Sequence, residues 1–138
     1  MKLLTKTETL SFADNTGIAN AVIDWCENNI GTNWRYPRPR LTLLGGIVDY
    51  MPNTVYGEYD VEDNIISINL ERNVYVRCLI KTIIHEYTHY LQPIKTKYQK
   101  LAKKHGYYDN PLEVEARYNE NTKYRDCFKH LKKYYEIN

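Results

Sequence analysis

Apolar residues recur along this chain with two different periods, and the change of period marks its elements. Between Asp14 and Ile30, the residues Ala19, Val22, Ile23 and Cys26 fall three and four apart, the spacing that lines one side of a helix, and Gly31 follows as a stop. Tyr36-Pro37-Arg38-Pro39 reads as an extended connector, because each proline disfavours the helical region in the residue before it. Leu41–Tyr50 then reads as a strand with Gly45-Gly46 as a bulge. Met51-Pro52-Asn53-Thr54 turns into a second strand over Val55–Val61, and Glu62-Asp63-Asn64 turns into a third over Ile65–Leu70.

The helical period returns at Val74 and runs to Gln92, where Pro93 ends it. Val76, Ile80, Ile83, Ile84, Tyr87 and Leu91 form its apolar stripe. Lys95–Lys104 reads as a further helix with Tyr98 and Leu101 inward and Gly106 as its stop. Asn110 as N-cap and Pro111 at the first position open a last long helix to about Tyr135. One helix, three strands and three helices in 138 residues predict a single α+β domain spanning residues 1–138, with the sheet early and later helices around any site.

The longest of these stripes carries the candidate chemistry on its back. His85-Glu86-Tyr87-Thr88-His89 places two histidines one turn apart, with a glutamate beside whatever they bind. This is the H-E-x-x-H pattern of zinc hydrolases, in which the glutamate takes a proton from water. By itself the motif arises in roughly one of a hundred shuffles of such a composition, so context must support it. The helix supplies that context: at about 100° per residue, His85 and His89 point away from the apolar stripe, beside Cys78 and Thr82. A helix that buries one face can offer both histidines to a cleft on the other.

A catalytic zinc wants three protein ligands and an open position. Gln92 and Lys95 stand where the metzincin arrangement needs Gly and His, which excludes it. Two third ligands remain open. Glu113, near the start of the last helix, shares a face with Ala116 and Glu120, whereas Glu115 points about 200° away. Glu113 also occupies the capping-box position relative to Asn110, a role that needs no metal. The other is His105 before Gly106, which would otherwise serve as a charge partner at a helix C-terminus. His130 reads as surface.

His85-Glu86-Tyr87-Thr88-His89 with Gln92, followed by Pro111-Leu112-Glu113-Val114-Glu115-Ala116, resembles the gluzincin peptidases. It is closest in style to their minimal forms and to small zinc peptidases of phage genomes, where H-E-x-x-H-x-x-Q and P-x-E-x-E-A occur together. The resemblance covers roughly residues 55–120. It implies a compact zincin-like fold, Zn2+ held by His85, His89 and Glu113, Glu86 as general base, and a protein or peptide substrate. Arg117 departs from the pattern, since an acidic or amide residue there often orients a ligand histidine; Glu120 is the substitute expected for that task. Tyr56-Gly57-Glu58-Tyr59, Ile65–Leu70 and His105-Gly106 are also similar to the SprT-like proteases, whose third ligand is a histidine. The gluzincin resemblance implies further that Ile65–Leu70 is an edge strand pairing with substrate. Tyr108 and Tyr118, flanking Glu113, are the candidate oxyanion donors. A module that keeps the zinc and has lost hydrolysis is the alternative from a different class.

Composition adjusts this picture little. Charged residues are 26% and hydrophobic residues 43%, ordinary for a globular protein. The net charge of +2 divides unevenly, with 8 basic and 11 acidic residues over 1–92 and 11 basic and 6 acidic over 93–138. The lysines at 95, 97, 100, 103 and 104 read as the solvated face of a helix rather than a nucleic-acid surface. Cys26, Cys78 and Cys127 lack C-x-x-C spacing and suggest free thiols in a reducing compartment. With no signal-like start and no long apolar run, a cytoplasmic monomer without a membrane partner is expected.

Overall fold

The computed structural model describes residues 1–45 and 55–135. After a 3-10 turn over Thr7–Thr9 come α1 (Phe12–Asn29), β1 (Arg40–Leu44), β2 (Gly57–Asp60), β3 (Ile65–Asn69), α2 (Val76–Leu91), α3 (Ile94–His105) and α4 (Pro111–Tyr135). The α+β layout and its order are those expected. Gly46, the Met51–Thr54 turn and the end of the first expected strand lie outside the described residues.

The sheet has the order β1-β3-β2. β3 runs parallel to β1, with Ile66 opposite Leu41, and antiparallel to β2, with Tyr59 opposite Ile66. This corrects the expectation for Ile65–Leu70: β3 is the central strand, and both Ile66 and Ile68 are fully buried. β1 and β2 are the two edges, and β2 lies against α2. Its Gly57 packs so tightly on α2 that a Cβ there would sit 2.8 Å from Thr82 Cγ2 and 3.0 Å from the Ser67 carbonyl.

α2 is the centre of the molecule. It packs on β2, β3, α1 and α4, and Val76, Leu79, Ile80, Ile83, Ile84 and Tyr87 are all buried to 0% exposure. The Tyr87 hydroxyl donates to the Gly31 carbonyl at 2.6 Å, tying the stop of α1 to the middle of α2. Tyr75 offers α2 no side-chain cap. Instead the N-terminal segment supplies acceptors, with Val76 N donating to Thr5 O and Arg77 N to Leu3 O. At the other end Pro93 forces Gln92 into extended backbone at ψ 158°, which ends the helix two residues past its second histidine.

A buried Asn73 joins these layers. Its amide donates to the carbonyls of Tyr56 and Asn69 at 2.9 and 2.7 Å, and its oxygen accepts from the Thr82 hydroxyl at 2.6 Å. The start of the edge strand is thereby fixed to α2 one turn before His85. α3 buries no residue completely; its lysines are exposed and Tyr98 and Leu101 are half-buried. Gly106 ends it at φ 81°, the left-handed region where glycine is favoured.

Candidate metal centre

α4 crosses α2 so that its first turn meets the histidine face. Asn110 caps α4 through its side chain, accepting from Leu112 N at 3.0 Å. Its own N–H donates to the Tyr107 carbonyl at 3.3 Å, so the reciprocal half of a capping box is not formed. The Glu113 carboxylate is thus released from capping and turned inward, and the residue is 2% exposed.

One oxygen of that carboxylate meets both histidines. Glu113 Oε1 lies 3.1 Å from His85 Nε2 and 2.7 Å from His89 Nε2. The two imidazoles stand nearly perpendicular, with ring centroids 4.9 Å apart. His85, His89 and Glu113 form a group that can hold a metal ion, their ligand atoms all within 4.8 Å of one another. Ligands at ~2.0–2.1 Å from a tetrahedral centre would stand about 3.3 Å apart, so the Glu113 oxygen would sit a few tenths of an ångström further from the two nitrogens with an ion between them. His105 is exposed at the end of α3 and outside this group, and His130 is exposed beside Tyr134.

The outer ring of contacts sets both tautomers. His85 Nδ1 lies 2.9 Å from Glu120 Oε1, and a carboxylate oxygen can only accept, so Nδ1 carries the proton. Glu120 thus stands where the resemblance wanted an acidic residue in place of Arg117. Arg117 itself stacks 4.0 Å over the Tyr108 ring and donates to the Tyr108 carbonyl. His89 Nδ1 lies 2.7 Å from Gln92 Oε1. The Gln92 amide nitrogen donates to Leu112 O at 2.9 Å and to Glu115 Oε1 at 2.7 Å. Glu115, expected to face away, therefore reaches the site through Gln92. Its position on α4 does point off the Glu113 face, but the end of α2 lies on that flank. Tyr98 of α3 completes the set by donating to Glu113 Oε2 at 3.3 Å.

Charge follows this geometry. Burial alone would depress the His85 pKa, but hydrogen bonds with Glu113 and Glu120 outweigh it and raise the value to about 10. His89 is raised in the same way, against burial, by Glu113 and Glu86. Burial would raise Glu113, yet its bonds to His85 and His89 hold it well below the carboxylate range.

Glu86 is treated differently. It is 8% exposed, burial raises its pKa against the pull of His89 and His85, and among the described residues it has no hydrogen-bond partner. Its carboxyl opens into a cleft of about 460 Å³ between α2, α4 and the start of β2, which Gly57, Cys78, Thr82 and His85 also line. Tyr107 borders the same cleft, and burial together with the charges of Glu113 and Glu86 raises its hydroxyl pKa. Tyr108 and Tyr118 do not line it; all three rings are largely exposed, and only Tyr107 lies at the cleft. Tyr98 and Tyr107 are site tyrosines that sequence reading missed: Tyr98 reads only as an inward residue of α3, and no spacing in the α3–α4 connection marks Tyr107.

Comparison of the chain with family models, curated proteins and solved structures finds no match. Among the described residues no helix is long and apolar enough to cross a membrane.

Proposed function

We propose that this protein is a zinc-dependent peptidase of gluzincin type, with His85, His89 and Glu113 as metal ligands and Glu86 as general base. The observation that carries the reading is the placement of one Glu113 oxygen against both Nε2 atoms, with Glu86 beside them and open to the cleft. Two imidazole nitrogens and one carboxylate oxygen are the donor set of catalytic zinc sites, and the cleft leaves a fourth side free. When bound, zinc supplies Lewis-acid activation of water and of a substrate carbonyl.

The chain's own groups do the rest. Glu86, buried and without a hydrogen bond that would hold it ionised, accepts a proton from water and returns it to the leaving amine. Glu120 and Gln92 keep Nδ1 of each histidine protonated and Nε2 directed inward. Tyr107 replaces Tyr108 and Tyr118 as the donor to negative charge developing on the carbonyl oxygen. Val55, Tyr56 and Gly57 border the cleft, so β2 rather than β3 is the strand an extended substrate would add to. His105 is exposed and outside the metal group, which supports the gluzincin reading over the SprT-like one.

Glu86→Gln separates chemistry from binding. It should keep about one zinc per chain while hydrolysis of an unstructured protein such as casein falls at least ~10²-fold. Wild type that binds zinc but cleaves neither casein nor any peptide in a broad library would overturn the peptidase reading in favour of a metal-binding interaction module.

A further inference from the structure

We propose that Gln92 and Glu115 act as one unit that fixes the amide orientation of Gln92 and thereby the tautomer of His89, so that metal affinity depends on the pair. The inference rests on the metal site proposed above and is independent of hydrolysis.

Donor and acceptor counting carries it. On its outer side the Gln92 amide faces two groups that can only accept, the Leu112 carbonyl at 2.9 Å and Glu115 Oε1 at 2.7 Å. Both protons of the NH2 group are used there. The amide oxygen must then face His89 Nδ1 at 2.7 Å, and Nδ1 must supply the proton. When the ring is neutral, as ligation requires, its lone pair is then on Nε2, the atom aimed at the metal group. A flipped amide would lose all three bonds and set oxygen against two acceptors, in a residue only 8% exposed. It would also allow Nδ1 to be the acceptor and Nε2 the protonated atom, a ring that cannot ligate.

The backbone prepares this arrangement. Pro93 holds Gln92 extended at the end of α2, three residues past His89, and Pro111 starts α4 so that Leu112 O and Glu115 face it. His85 needs no such relay, because either oxygen of Glu120 can only accept.

The test is a swap, read as zinc affinity by chelator competition on the full chain, with metal-free melting recorded for each variant. Gln92→Glu alone sets two carboxylates against each other and should weaken zinc about 10–100-fold. Glu115→Gln alone releases the orientation of Gln92 and should weaken it about tenfold. In the Q92E/E115Q double variant the new carboxylate at 92 accepts from His89 and the new amide at 115 donates to it. It should bind zinc at least about tenfold tighter than Q92E alone. A purely structural role predicts a double variant no better than Q92E, and that result overturns the proposal. So do single variants that stay within about twofold of wild type. Should Q92E fail to fold, Glu115→Ala at its exposed position carries the test with the same tenfold loss expected. Wild type that binds no zinc removes the metal site itself, whereas unchanged variants of a zinc-binding wild type remove only the relay.

Discussion

Replacing Glu113 by Gln changes a single atom type in the most enclosed part of the site. The amide keeps the volume of a side chain 2% exposed, but it removes the charge facing His85 Nε2 at 3.1 Å and His89 Nε2 at 2.7 Å. Loss of a group that merely orients a ligand costs about 10–100-fold in metal affinity, so loss of the ligand should exceed about 10³-fold, or about 4 kcal/mol. The effect converts directly into stability. Zinc at about 100 times the wild-type dissociation constant adds ~2.7 kcal/mol to folding, and the same zinc adds less than ~0.1 kcal/mol after a 10³-fold loss. For 138 residues the wild-type gain corresponds to a rise in melting temperature of roughly 8–11 °C. Calorimetry of each protein with buffered zinc and with chelator measures the difference. Asn110 caps α4 without Glu113, so no lost cap confuses the comparison. A Glu113→Gln protein that keeps the full zinc-induced rise would refute the ligand assignment.

The metal-free protein should have a pH optimum set by the same cluster. His85, raised from 6.5 to about 10, contributes stability that is complete below pH 6.5 and is lost as pH rises through 10. Glu113, lowered from 4.5, contributes above pH 4.5 and loses its contribution as pH falls. Urea denaturation in chelator should therefore show greatest stability between 4.5 and 6.5, and a steady rise in stability from pH 6.5 to about 9 would contradict the cluster. Asn73→Ala removes three hydrogen bonds, two of them buried, that join the start of β2, β3 and α2. It should cost about 3 kcal/mol by denaturant titration, and a loss below about 0.5 kcal/mol would show that the cleft wall does not depend on it.

What could be read from the sequence is what depends on local geometry. The projection of His85, Cys78 and Thr82 to one side of α2 follows from the helical period alone, and all three line the cleft. Asn110-Pro111, Pro93 and Gly106 mark helix ends by backbone chemistry, and the helices start and stop there. The inward turn of Glu113 was legible because Ala116, one turn on, is a small residue at a crossing, and it is 0% exposed. The misses come from contacts between elements. β3 was expected at an edge, and nothing within Ile65–Leu70 says that Arg40–Leu44 pairs parallel on its far side. Glu115 was placed by its angle on α4, which is correct, but the partner on that flank is the side chain of Gln92 on another helix. Tyr107 borders the cleft and Tyr108 does not, because the ring of Tyr108 lies under Arg117.

Anomalous diffraction at the zinc absorption edge, from crystals of metal-replete wild-type protein, tests the central claim most directly. The account predicts one strong peak per chain, within ~2.0–2.2 Å of His85 Nε2, His89 Nε2 and Glu113 Oε1, with its free side toward Glu86. A peak ligated by His105 in place of Glu113, or no peak at the α2–α4 crossing, would contradict it.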